Sequence, residues 1–253
     1  MKLFASDYDG TLHLNGSVSD STIEAIHKFK NAGNTFGIAT GRSISSIAAE
    51  IDKYKIPVDF LIGNNGGIVL NQHNEELFYQ LMDFEVALKI IADIPQDKIV
   101  YYGVSDGYQF GLHDKMAAEQ DGDFADKLVD VAKILESKTA VGMFLRFDGR
   151  ESSAQFADYI NGKYGDQVKA YNFGDYIDII SYGITKKTGI GHINDHIQHN
   201  GPIFTIGDSY NDIPMIKGFN GFAMCSGEEE VKKYASRCFD TVEAALEFVM
   251  SLD

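Results

Sequence analysis

The 253-residue chain has only two cysteines, Cys225 and Cys238, and they lack CxxC spacing. That excludes a disulfide framework and a zinc ribbon, and it fits a reducing compartment with two buried, inert thiols. Basic charge is scarce as well: 22 Lys and Arg stand against 37 Asp and Glu, a formal net charge of −15. Nucleic acid and anionic lipid both require a positive footprint, so neither is an expected partner. No segment approaches the ~18 uninterrupted apolar residues of a membrane span. The opening "MKLFASDYDG" holds a charge-broken apolar stretch too short for a signal peptide. The expected location is cytoplasmic. Internal repeats and low-complexity linkers are missing too. With 44% hydrophobic residues, the chain still has the apolar material for a sizeable core, in one large domain or two.

What is present begins with "LFASDYDGTL", residues 3 to 12, an apolar run that ends in Asp7 and Asp9 and then turns at Gly10. Buried carboxylates are costly unless paired, so this strand should end at an edge where a cation or proton holds them. "SVSDSTIEAIHKFKNAG" follows, with Ser and Asp caps, apolar Ile23, Ile26 and Phe29, and Gly33 as a stop, which predicts a helix. A strand in "NTFGIATGRS", a helix through "SISSIAAEIDKYK" and a strand at "VDFLIGNNGG" continue the alternation, which implies parallel crossovers. The pattern returns near the C-terminus with "GPIFTIGDSYND", a helix from about Asn211, "GFAMC" and a last helix through "TVEAALEFVMSL". The two ends read as one sheet.

The middle differs. "DFEVALKIIADI" is helical by period, whereas "KIVYYGVSDGYQFGL", "AVGMFLRFDG" and "YIDIISYG" are aromatic and β-branched strands separated by turn signals. Hairpins or an antiparallel sheet suit them, with borders near residues 81 and 184 set by the change of pattern.

In open parallel sheets ligands bind beyond the carboxyl ends of strands, and "DYDGT", "TGRS" and "GDSYND" place polar residues there. Asp7 and Asp208 supply anionic oxygens to a hard divalent cation such as Mg²⁺. Thr40 and the amide of Gly41 offer donors to a phosphate oxygen, and Lys186 in "GITKKTGI" adds fixed positive charge.

Taken in order, "DYDGTL", "ATGRS", "GNNGG", "GITKKTGI" and "GDSYNDIPM" resemble the haloacid dehalogenase superfamily, and within it the Cof-like phosphatases with a type IIB cap. The resemblance implies an α/β fold with a doubly wound, parallel-sheet, Rossmann-like core of residues 1–80 and 184–253. Residues 81–183 would form an inserted α+β cap domain that sets substrate specificity. It further implies that Asp7 is the nucleophile, forming an aspartyl-phosphate, and that Asp9 is the acid and base. Asp7, Asp208 and the Asp9 backbone carbonyl would bind Mg²⁺, with Asp212 orienting metal-bound water. The backbone amide of Tyr8, with Thr40, Gly41, Lys186 and Asn211, would hold the phosphoryl group. Ser209 and Lys187 stand where relatives often carry glycine, and neither removes a chemical group.

Blander readings compete for several stretches. "TGRS" alone reads as a helix start capped by Ser43, and "GNNGG" as a tight turn whose glycines permit positive φ, with Asn65 only a possible lining residue. His192, His196 and His199 fall opposite Ile190, Ile193 and Ile197 on a helix, which predicts a solvated face rather than a metal site. No HExxH or P-loop spacing is present.

The expected activity is hydrolysis of a small phosphorylated metabolite, such as a sugar phosphate or phosphorylated cofactor. A phosphomutase-type phosphotransferase shares the same nucleophile and stands as the alternative. A non-enzymatic phosphoaspartate receiver would lack both Asp9 and the long insertion. Nothing in the sequence specifies an oligomeric state.

Overall fold

The computed structural model describes residues 1–114 and 129–252. The chain forms two compact units, one of Met1–Thr40, Glu50–Phe78 and Thr185–Asp253, the other of Gly41–Ala49 and Tyr79–Ile184.

The first unit is built on strands β1 (Leu3–Ser6), β2 (Thr35–Ala39), β3 (Phe60–Gly63), β4 (Ile68–Asn71), β5 (Glu76–Tyr79), β12 (Ile203–Gly207), β13 (Asn220–Met224) and β14 (Arg237–Phe239). Their spatial order is β14-β13-β12-β1-β2-β3-β4-β5. β1 pairs in parallel with both β12 and β2, as the repeated strand-helix pattern predicts. Beyond β3 the order departs from a purely parallel sheet, because β4 returns antiparallel to β3 through the "GNNGG" turn.

Both faces are covered, which explains why the strands are continuous apolar runs. Leu3 and Ala5 pack on one face with Ile62, Ile190, Ile193 and Met215. Phe4 points the other way, 6.0 Å from Phe29 and 6.1 Å from Phe36 between ring centroids. Phe29 comes from the helix Asp20–Asn31, whose N-cap Ser19 accepts from the Thr22 amide, as the cap signal predicts.

The second unit holds β6 (Ile99–Ser105), β7 (Phe110–Leu112), β8 (Val129–Asp130), β9 (Gly142–Phe147), β10 (Val168–Phe173) and β11 (Tyr176–Ser181), in the order β10-β11-β9-β6-β7-β8. Among the described residues its strand pairs are antiparallel, as expected of the aromatic strands, except that β7 and β8 run parallel. Helices Phe84–Asp93, Val131–Ser137 and Arg150–Tyr164 share its core through Ile90, Ile134, Phe156 and Ile160, packed with Leu145 and Ile177. The sequence pattern leaves Arg150–Tyr164 unassigned, because five of its first six residues are polar or charged and its buried positions begin only at Ser153 and Phe156. Asp93 ties this helix to Phe84–Asp93, accepting from Tyr159, Lys163 and Tyr164.

Three sequence expectations are overturned. The thiols are not buried: Cys225 is exposed in the turn after β13, and Cys238 is half-buried on the edge strand β14. The three histidines do not share a solvated face either. His196 is exposed, but His192 stacks on Phe78 at 4.0 Å and His199 is buried. The helix Lys186–Ile197 ends at Gln198 with φ 49°, and this left-handed turn carries His199 inward. Finally, the Ser43 hydroxyl does not cap the helix Ile44–Tyr54 and is buried without a hydrogen-bond partner among the described residues. Within the second unit, the Ile44 and Ser45 amides instead donate to the carbonyls of Gly107 and Tyr108.

Gly66 is the position where the turn after β3 demands glycine. Its φ is +109°, and a Cβ there would lie 2.2 Å from the Thr185 carbonyl oxygen. Gly66→Ala should therefore destabilise the protein by about 3 kcal/mol or more. Gly33→Ala, also at positive φ but facing open space, should cost only about 1 kcal/mol. Urea denaturation of the two variants checks this, and equal losses would contradict the close-approach argument.

Candidate functional site

All the residues that meet at the site come from the ends of secondary-structure elements in the first unit. β1, β2 and β12 are parallel neighbours, so the residues that follow them emerge at one sheet edge. Asp7 follows β1, Thr40 follows β2 and Asp208 follows β12. Lys186 opens the helix Lys186–Ile197, whose N-cap Thr185 forms a capping box with Thr188.

The Lys186 ammonium lies at the centre. Its Nζ donates to Asp7 Oδ1 and to Asp212 Oδ1, each at 2.6 Å, and the lysine is 1% exposed. Asp212 is committed on both oxygens, because Oδ2 accepts from the backbone amides of Asp208 at 2.9 Å and Ser209 at 3.0 Å. Asp208 Oδ1 accepts from the Thr11 hydroxyl at 3.1 Å. Missing side chains make room for this crowding: a Cβ on Gly10 would lie 2.5 Å from Asp208 Oδ2, and one on Gly207 would lie 2.3 Å from Asp212 Cγ.

One carboxylate oxygen from each of Asp7, Asp208 and Asp212 falls within 4.8 Å of the others. A single ammonium does not balance three carboxylates at that spacing, and the protonation equilibria reflect the excess. Burial pushes the Asp7 carboxyl well above its ordinary value, and the charges of Asp212 and Asp208 add to the rise that Lys186 opposes. Asp208 is pushed up to about 6, chiefly by burial and then by the Asp212 charge. Burial alone disfavours the Lys186 cation, but the adjacent Asp212 and Asp7 charges outweigh it and hold the ammonium above the usual lysine range. This buried acidic cluster is suited to a divalent metal ion, which would supply the missing positive charge to oxygen donors.

The other residues singled out in the sequence are placed as follows. Asn211 is buried, and its Nδ2 donates to Asn65 Oδ1 at 2.8 Å. Thr40 is buried, with its amide bonded to the Ile62 carbonyl and its carbonyl to the Asn65 amide. Tyr8 is buried, and its phenol donates to Glu50 Oε2 at 2.6 Å, which fixes the backbone between the two aspartates. Asp9 is exposed and its side chain stands outside the three-carboxylate cluster. Gly41 is half-buried and groups with the second unit.

Thr11 and Glu50 are site contacts that the sequence reading does not single out, and Asn65, read there chiefly as part of a tight turn, bonds Asn211. Thr11 lies inside the "DYDGT" motif and was legible there. Glu50 carries no local signal, since only the packing of its helix brings it to Tyr8.

A buried aspartate held by a lysine, in an acidic cluster at the carboxyl edge of a doubly wound sheet, defines a phosphatase-type hydrolase with an acidic catalytic centre. The chain belongs to the haloacid dehalogenase-like hydrolases: the profile of that family matches residues 4–245. It is 24% identical over 265 residues to the 5-amino-6-(5-phospho-D-ribitylamino)uracil phosphatase YitU of Bacillus subtilis, covering 95% of this chain and 93% of that protein. The Bacillus subtilis phosphatase YwtE is 37% identical over 105 residues, 41% of this chain and 35% of that protein. Among solved structures, a subclass IIB sugar phosphatase of the superfamily superposes with a TM-score of 0.82 at 20% identity, over 100% of both chains. A phosphatase of the superfamily from Bacteroides thetaiotaomicron gives 0.79 at 23% identity, over 100% of this chain and 96% of its own. The Cof-like architecture with an inserted cap is thereby established, as the motif order implied.

The raised carboxyls make a pH prediction. A carboxyl whose folded pKa exceeds its ordinary 3.8 stabilises the fold at low pH and loses that contribution as pH rises through the folded value, here about 6 for Asp208. A divalent cation must displace those protons, so its stabilising effect should grow from about pH 5 to about pH 7.5. Thermal unfolding with chelator and with a divalent cation at each pH measures this. A cation-induced shift of equal size at both would contradict a cation site in this acidic cluster.

Proposed function

We propose that the protein is a Mg²⁺-dependent phosphatase of small phosphomonoesters, acting through an aspartyl-phosphate on Asp7. The observation that carries this reading is the Asp7 carboxylate, buried, held by Lys186, and within reach of Asp208 and Asp212. In this reading an Asp7 oxygen attacks phosphorus and the bond to the ester oxygen breaks. Asp9 gives that departing oxygen its proton, then takes one from the water that releases phosphate from Asp7. The exposed position of Asp9 supports a group that must exchange protons with substrate and water.

Lys186 offsets charge on the phosphoryl oxygens, while Thr40, Gly41, Asn211 and the Tyr8 amide bind and orient them. Asp7, Asp208 and the Asp9 carbonyl are the metal ligands in this reading. Asp212, whose oxygens already serve Lys186 and two backbone amides, fits an outer, orienting place. Bound Mg²⁺ would supply charge neutralisation at the nucleophile and the phosphoryl group.

The substrate class follows from charge. The insertion of residues 81–183 carries 18 acidic and 10 basic side chains, a net of −8, so neither it nor the remainder attracts polyanions. One phosphate, by contrast, is neutralised locally. Sugar phosphates and phosphorylated cofactors or their precursors fit, the class to which the substrates of the named relatives belong. Residues 81–183 are assigned the role of a specificity cap, with His113, Arg146 and Arg150 as its polar contacts. Lys115, a further sequence candidate, lies outside the described residues. Arg146 pairs with Asp175 at 3.3 Å and lies over the Tyr176 ring.

Asp7→Asn should lower turnover on the order of 10³-fold or more. The fold should survive, because Asp212 remains beside Lys186 and the lost carboxylate was disfavoured by burial. Phosphate release from a panel of phosphorylated metabolites, with thermal unfolding alongside, tests both halves. Retained turnover in this variant would overturn the nucleophile. Chelation should abolish the same activity and Mg²⁺ restore it, and release of free phosphate separates hydrolysis from a phosphomutase.

In Asp9→Asn the phosphorylated enzyme should accumulate with substrates whose leaving group departs easily. Rapid-quench labelling measures it, and unchanged turnover of alkyl phosphates would refute the acid-base role.

A further inference from the structure

We infer that Asn65, in the turn after β3, is a positioning residue that orients the Asn211 amide toward a bound phosphoryl group. The inference rests on the phosphatase reading above and deepens it.

Asn65 is 2% exposed and Asn211 8%, and the hydrogen bond between them joins β3 to the segment after β12 in a buried setting. An amide nitrogen carries two hydrogens. The Asn65 carbonyl takes one, and this fixes the direction of the second and of Asn211 Oδ1. That oxygen is buried and has no donor among the described residues. Leaving such an acceptor unmatched costs about 1–3 kcal/mol, so it calls for a donor, a water or a ligand hydroxyl, while the second amide hydrogen is the one that can serve a phosphoryl oxygen. Asn211 is therefore aimed and only partly satisfied.

Asn65 holds a second strand end as well. Its amide donates to the Thr40 carbonyl at 2.8 Å, while the Thr40 amide donates to Ile62 at 2.8 Å. The next residue, Gly66, lets the same turn press against Thr185, which precedes Lys186. One turn thus touches Thr40 and Asn211 directly and the cap residue of the lysine helix by close packing.

The backbone argues that the Asn65 side chain is wanted for itself. Asn65 sits at φ 54°, a left-handed conformation that asparagine tolerates and glycine adopts more readily. A turn needing only its shape would be served at least as well by glycine. Asn65→Gly therefore separates the two roles, because it keeps the backbone amide to Thr40 and relieves the conformation while removing the bond to Asn211.

The test compares unmodified protein, Asn65→Gly, Asn211→Ala and the double variant. Inorganic phosphate binding in Mg²⁺ is measured by calorimetry, KM and kcat with p-nitrophenyl phosphate, and thermal unfolding on each. Asn65→Gly should weaken phosphate binding about tenfold, equivalent to one hydrogen bond of about 1.4 kcal/mol, and raise KM more than it lowers kcat. Its unfolding temperature should fall no further than that of Asn211→Ala, which loses the same hydrogen bond. In the Asn211→Ala background the same change should add nothing further. Unaltered phosphate binding in Asn65→Gly, or fully additive losses in the double variant, would overturn the positioning role. Failure of the unmodified protein to bind phosphate in Mg²⁺ would instead overturn the phosphatase reading, and the inference with it.

Discussion

The buried ammonium of Lys186, shared between Asp7 and Asp212, is the contact on which the site depends. A lysine this deep would lose its proton if left alone, and a buried carboxylate would gain one. The Asp212 and Asp7 charges hold the lysine protonated, Lys186 in turn opposes the rise that burial imposes on Asp7, and the backbone amides of Asp208 and Ser209 fix Asp212 so that the lysine has a stationary partner. The arrangement draws on three strand and helix ends far apart in sequence, so it exists only once the sheet is assembled. Breaking such a pair by removing one partner typically costs several kcal/mol, since the remaining charge is stranded.

The cluster remains out of balance, and its function lies in that excess. Burial first, and then three carboxylates against one ammonium, leave Asp7 and Asp208 with raised proton affinity. Protons, a divalent cation or both must answer the deficit of positive charge, and a phosphoryl group enters a place where charge is already locally arranged. On the proposed phosphatase reading, a protein of net charge −15 would favour a single phosphate while its overall field repels larger anions. The absence of side chains at Gly10 and Gly207 lets the carboxylates approach one another closely.

The turn after β3 does for the polar groups what Lys186 does for the charged ones. Asn65 meets Thr40 through its backbone and Asn211 through its side chain, while Gly66 admits the Thr185 carbonyl. β1, β2 and β12 deliver residues to a common edge, and this turn fixes their spacing. The positive φ angles of Asn65 and Gly66 are the local conformations that allow it.

The sequence by itself determined the strand-helix alternation at both ends, the aromatic strands between them and the motifs that carry charge. Hydrophobic period and cap residues are local properties: the all-apolar β1 and the Ser19 cap could be read from a few neighbours each. Asp7, Lys186, Asp208 and Asp212 were legible because their motifs sit at strand and helix ends, where a parallel sheet must gather them. Tertiary structure decided what depends on distant partners. Only packing brings Glu50 to Tyr8 and Asn65 to Asn211, turns His199 inward, and leaves Cys225 exposed in the turn after β13. It also replaced the expected Ser43 cap with two carbonyls from Gly107 and Tyr108. In each case the deciding contact joins residues remote along the chain, and no local pattern encodes which of the available polar groups will be nearest when the chain closes.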